Sequence, residues 1–183
     1  MNTSTHTYNC KSQSEYQQCV VNKYCDKIWD SINIVFKNCD KILDIWGWNQ
    51  ESWLIWDRYR VDPQWWEESD KIFRGKLEEY DFWNQLFDGF FLSNTLYYLD
   101  IEKAIEKIKS LSKNWVFLSI TDSEPGSMQD AWGDYIRPDY VTTSAEVSME
   151  DFLNTVTFHL EENWFKNIKI RYIDSKVILY AKI

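Results

Sequence analysis

Four carboxylates in one stretch, Asp122, Glu124, Asp130 and Asp134, are the residues of this sequence best suited to chemistry. Oxygen ligands at the mouth of a strand can hold Mg²⁺ or Ca²⁺, and a carboxylate pair can share acid and base work. The D-x-[DN]-x-[DN]-G spacing of a calcium loop is absent. A divalent-metal-dependent enzyme using the Asp/Glu cluster of the 122–139 loop is therefore an alternative reading and not the leading one. A thiol–imidazole pair would have to bring one of Cys10, Cys19, Cys25 and Cys39 to His159, and nothing in the spacing asks for it. The sequence has no G-x-x-x-x-G-K, G-x-G-x-x-G, G-x-S-x-G or H-E-x-x-H, so nucleotide, dinucleotide, serine-hydrolase and zincin readings lose their usual support. No catalytic residue, metal ligand or cofactor is assigned.

The same loop offers something else. Trp132 stands between Asp130 and Asp134, with Gly133 beside it and Tyr135 just after. Aromatic anchors carry the energy of an interface and carboxylates around them speed encounter with a cationic partner. The expected partner-binding set is Asp122, Glu124, Asp130, Trp132, Asp134 and Tyr135. Phe158 joins it, because a helical wheel puts that ring beside Asp151 and Glu162 on a polar face. The leading expectation is a non-catalytic, acidic, aromatic-rich protein that covers a basic protein partner, in the manner of toxin-neutralising immunity proteins and inhibitors. A structural or assembly subunit is the second.

Charge supports that direction. The formal net charge is −9, and between positions 114 and 164 ten acids face a single base, Arg137. Such a field repels phosphate backbones, so direct nucleic-acid binding is disfavoured. The last nineteen residues invert the balance with five bases and one acid, a local basic patch that escapes the argument. The first residues, MNTSTHTYNCKSQSEYQQ, have neither a basic region nor an apolar core. The reading is a cytoplasmic protein with no membrane segment. Four irregularly spaced cysteines fit reduced, buried thiols and not a zinc site.

The elements that must position the loop follow from periodicity. Residues 1–14 are polar and read as a disordered arm, leaving 15–183 as a single domain. Apolar residues at steps of three and four predict helices over 15–29 and 31–46, or one long kinked helix, and Asp62-Pro63 opens another, running to about Gly75. A stripe over 77–87 suggests one more, and 90–99 is open between helix and strands. Asp100 caps a helix that ends near Ser112, 115–121 is a central strand, 140–147 an edge strand, and 149–162 a helix. Two alternating runs over 168–173 and 176–183 form a β-hairpin. The class predicted is α+β: a helical N-terminal half packed on an antiparallel or mixed sheet of about four strands. With 11 Trp, 11 Tyr and 10 Phe, the core should be rich in rings.

Overall fold

The computed structural model describes residues 26–45, 57–63, 69–93, 95–96, 99–122, 149–173 and 176–182. In chain order these form α1 (Asp26–Phe36), β1 (Lys41–Ile45), β2 (Asp57–Val61), β3 (Ile72–Phe73), β4 (Phe87–Ser93), α2 (Ile101–Leu111), β5 (Ser112–Asp122), α3 (Met149–Glu162), β6 (Lys166–Ile173) and β7 (Lys176–Lys182). All seven strands join one sheet in the order β3-β2-β1-β4-β5-β7-β6. The first five run parallel, and β7 is antiparallel to both β5 and β6.

Helices cover both faces. On one, α2 and α3 bury Ala104, Ile105, Ile108, Phe152, Leu153, Val156 and Leu160 against Leu43, Phe90, Leu92, Phe117 and Leu179. On the other, α1 sets Ile28, Ile32 and Phe36, one turn apart, on Ile42, Phe91, Leu118 and Ile178. Successive residues of β1, β4 and β5 therefore enter opposite cores, as a parallel sheet between two helix layers requires. Gly89 in β4 lets α1 come close, since a Cβ there would lie 2.7 Å from Cε1 of Phe36.

The architecture corrects the predicted class. There is no helical half resting on about four strands, because residues 31–46 and 62–75 supply strands of the sheet. Lys41–Ile45 is β1 and Ile72–Phe73 is β3, both inside stretches assigned to helices. A parallel strand covered on both faces shows no alternation of polar and apolar residues. Cys39 and Ile42 thus continued the helical steps of α1 by accident of spacing. The links between β1 and β2 and between β2 and β3, residues 46–56 and 62–71, lie near the shortest length for a parallel crossover, about 10–12 residues. Residues 77–87 form turns and the start of β4 instead of a helix. Their rings fill the space a helix would take: Phe82 packs on Phe73 at 5.1 Å, Tyr80 at 5.0 Å and Phe87 at 5.8 Å, and Tyr59 stacks on Phe73.

The second half of the chain agrees with its sequence pattern. Asp100 caps α2, β5 is central, the stripe of α3 is buried, and β6 and β7 pair as a hairpin at the sheet's edge. The 1–14 arm and the 140–147 strand lie outside the described residues. No helix among the described residues is long and apolar enough to cross a membrane.

Candidate functional site

Strand order locates the site. From β1 the chain moves outward to β2 and β3, and from β4 it moves the other way to β5. Strand order therefore reverses between β1 and β4, and in open α/β sheets the crevice outside the carboxyl ends of the strands at such a reversal is where ligands bind.

The polar side chains of the interior collect there. Among the described residues, the buried polar or charged ones are Asp44, Arg60, Ser93, Thr95, Ser119, Thr121 and Asp88. All but Asp88 stand at or beside the carboxyl ends of β1, β2, β4 and β5. Burying polar groups costs free energy unless they are bonded, so their gathering at one end of a sheet marks a site rather than a core. The Thr95 hydroxyl lies 3.0 Å from the carbonyl oxygens of both Ile45 and Ser93, between which it shares its one proton, and so it ties the last residue of β1 to the last residue of β4. Register puts Asp44 beside Arg60, opposite charges buried on neighbouring strands. On β5 the Ser119 and Thr121 hydroxyls share a hydrogen bond of 3.3 Å.

Asp62 adds a carboxylate at the same end of the sheet. It follows Val61, which pairs with Ile45, so this half-buried residue stands at the carboxyl end of the strand next to β1. Its backbone is fixed: the Asp62 N–H donates to the Phe73 carbonyl at 3.0 Å and its own carbonyl accepts from Gly75 N–H at 3.2 Å. Asp62-Pro63 had been assigned to a helix cap, and the structure makes Asp62 the outlet of β2.

Asp88 is different in kind. It sits at the opposite end of the sheet, where its Oδ2 accepts from the backbone N–H of Asp40 and Lys41 at 3.2 and 2.9 Å and Lys113 approaches at 3.8 Å. It fixes the start of β1. Cys39 lies against it, its thiol directed to the Asp88 carbonyl. Burial, with the Asp88 charge adding, pushes that thiol up to about 11. A thiol so protonated is no nucleophile, and Cys39 packs on the α1 side while His159 is on α3, across the sheet.

Of the partner-binding set read from sequence, Asp122 is the last residue of β5, in register with Lys176. Glu124, Asp130, Trp132, Asp134 and Tyr135 lie outside the described residues. Phe158 is 57% exposed and edge-on to His159, 5.3 Å away, near the end of α3 that leads into β6. It is thus at the other end of the sheet from Asp122, and the two are not brought together. Among the described residues no three of His, Cys, Asp and Glu are grouped to hold a metal ion. Sequence reasoning passed over Asp44, Arg60, Asp62, Ser93 and Thr95. Their one local signal is a polar residue at the downstream end of an apolar run, as in KILDI and FFLSNT.

No family model matches the sequence, and no curated protein matches it. Solved structures do. The methyltransferase domain of bacterial CtHen1 superposes with a TM-score of 0.56 at 14% identity, over 85% of this chain and 97% of that one. Human N-acetylserotonin methyltransferase in complex with SAM gives a TM-score of 0.53 at 11% identity, over 94% of this chain and 56% of its own. The N-methyltransferase NodS from Bradyrhizobium japonicum gives 0.51 at 14%, over 86% and 97%. The chain has the fold of these methyltransferases. That fold overturns the expectation of a non-catalytic immunity or inhibitor protein.

Proposed function

We propose that this protein is a methyltransferase that binds S-adenosylmethionine in the crevice beyond β1 and β4. The observation that carries the reading is the gathering of buried polar side chains at the carboxyl ends of the parallel strands, where open α/β sheets hold their ligands.

The residues present suit a nucleoside without phosphates. A carboxylate one strand out from the switch point is the group that accepts hydrogen bonds from a ribose diol, and Asp62 holds that place. Dinucleotide sites also need three glycines after β1, so that backbone can approach a pyrophosphate. Residues 46–56 contain Gly47 alone. A net charge of −9 likewise opposes a phosphate-bearing ligand and attracts a sulfonium cation.

When bound, S-adenosylmethionine supplies an electrophilic methyl group. This chain's residues bind and orient. Asp62 anchors the sugar, and Thr95 holds the ends of β1 and β4 in fixed relation, so that loops leaving them start from a rigid edge. Asp44 and Arg60 bring opposite charges to adjacent register positions near the ends of β1 and β2.

Calorimetric titration tests the assignment. S-adenosylmethionine and S-adenosylhomocysteine should both bind, and NAD should not. Asp62→Ala should weaken binding at least about tenfold, the scale of a lost charge-assisted hydrogen bond, with an unchanged melting curve. Absence of binding by the wild-type protein at millimolar ligand would overturn the proposal.

A further inference from the structure

The basic C-terminal segment lies outside that crevice, and the fold gives it a distinct form. β6 ends the strand order, and among the described residues nothing pairs with its outer edge. Register sets Lys166 beside Lys182, Lys169 beside Tyr180 and Arg171 beside Ile178. Lys166, Lys169, Arg171 and Lys182 are all exposed, and among the described residues none of them forms an ion pair. Lys176 stands opposite Asp122 and is set apart from this group. Alternation along β6 places Lys169, Arg171 and Ile173 on the α1 side and Ile168, Ile170 and Tyr172 on the α3 side. Ile170 is 40% and Tyr172 63% exposed. Among the described residues the strand is thus unpaired along one edge, cationic on one face and apolar on the other.

We propose that β6 docks an extended segment of a partner protein in which carboxylate and apolar side chains alternate, added to the sheet as a further strand. The outward backbone groups of an edge strand supply the ladder. Cross-strand pairing then puts carboxylates opposite Lys169 and Arg171 on one face and apolar side chains over Ile170 and Tyr172 on the other. A second copy of β6 does not fit, because like charges would stand opposite one another. A nucleic-acid strand would use the cationic face alone. It would leave Ile170 and Tyr172 uncovered, and it meets the repulsion of a chain of net charge −9. Lysines on an edge also guard against aggregation, yet a guarded edge has no use for an exposed isoleucine and tyrosine beside them.

The test uses the whole protein and four probes: a capped peptide of 8 residues, the length of β6, alternating Glu and Val; its scrambled form; the same peptide with Lys for Glu; and single-stranded oligothymidylate. Amide chemical shifts and hydrogen exchange are followed. The Glu/Val peptide should bind saturably and protect those β6 amides that do not donate to β7. Lys169→Glu with Arg171→Glu should weaken it about tenfold, from two lost cross-strand charge pairs, and should let the Lys/Val peptide bind instead. Ile170→Ser with Tyr172→Ser should weaken the Glu/Val peptide and leave the charge selectivity intact. No saturable binding at millimolar peptide, binding without β6 protection, equal binding of the scrambled peptide, or preference for oligothymidylate would each overturn the proposal.

Discussion

At the scale of single residues, the structure separates groups that hold the sheet together from groups that stand at the carboxyl ends of its parallel strands. Asp88 and Cys39 belong to the first kind, Asp62 to the second and Thr95 to both, and sequence alone does not distinguish an aspartate of one kind from the other. Gly89 shows how tight the structural kind is. Its missing side chain admits the Phe36 ring, which meets Phe91 edge-on at 6.1 Å. Gly89→Ala should force that ring off its seat and cost about 1–3 kcal/mol, the usual range for overpacking. Phe36→Leu alone loses ring contacts in a fully buried position and should also destabilise the protein. In the double variant the smaller side chain makes room for the new methyl group, so the two costs should not add. Denaturant melts of the four proteins measure the coupling. Strict additivity would mean that α1 is not seated on β4 at this point.

At the scale of elements, α2 was legible because its stabilising signals are local. Asp100 accepts from Lys103 N–H, and its carboxylate meets the Lys103 ammonium at 2.7 Å. The bond to Lys103 holds the Asp100 carboxyl below its ordinary 3.8, against the smaller opposing effect of burial. An acid whose folded pKa is depressed stabilises the fold above its unfolded pKa and loses that contribution as pH falls through the folded value. Asp100→Ala should therefore cost about 1 kcal/mol near neutrality, as lost caps do, and the difference from wild type should shrink below pH 4. Equal stability at pH 7 would mean that the cap is idle. The α3 stripe, central β5 and the β6–β7 hairpin were readable for the same reason: period, caps and turns lie within a dozen residues. The opposite holds for β1, β2 and β3. They are short and parallel, and β1 is covered on both faces, so Lys41–Ile45 carries no alternation, and its partners are set by β2 and β4, away along the chain. The polar cluster was illegible on the same ground. Asp44, Asp62, Thr95 and Thr121 are scattered through the sequence, and only the parallel strand order sets them at the same end of the sheet.

At the scale of the whole molecule, the last strand carries more than its position suggests. β7 pairs along its length with β5 on one side and β6 on the other. It also contributes to both cores, with Val177, Leu179 and Ala181 on the α2–α3 side and Ile178 on the α1 side. Removing residues 176–183 would leave β5 with an open edge in the middle of the domain and β6 with no neighbour, and two apolar layers would lose their border at once. The expected result is loss of cooperative unfolding in both calorimetry and denaturant titration, with secondary structure retained at most in part. Ile178→Ala serves as the graded control. It removes atoms from one core only, should cost about 2–5 kcal/mol, and should keep a single sharp transition. A truncated chain that still melts sharply near the parent temperature would show that the five parallel strands with α1, α2 and α3 fold as a unit on their own, and that the antiparallel hairpin is an appendage to the domain instead of its closing element.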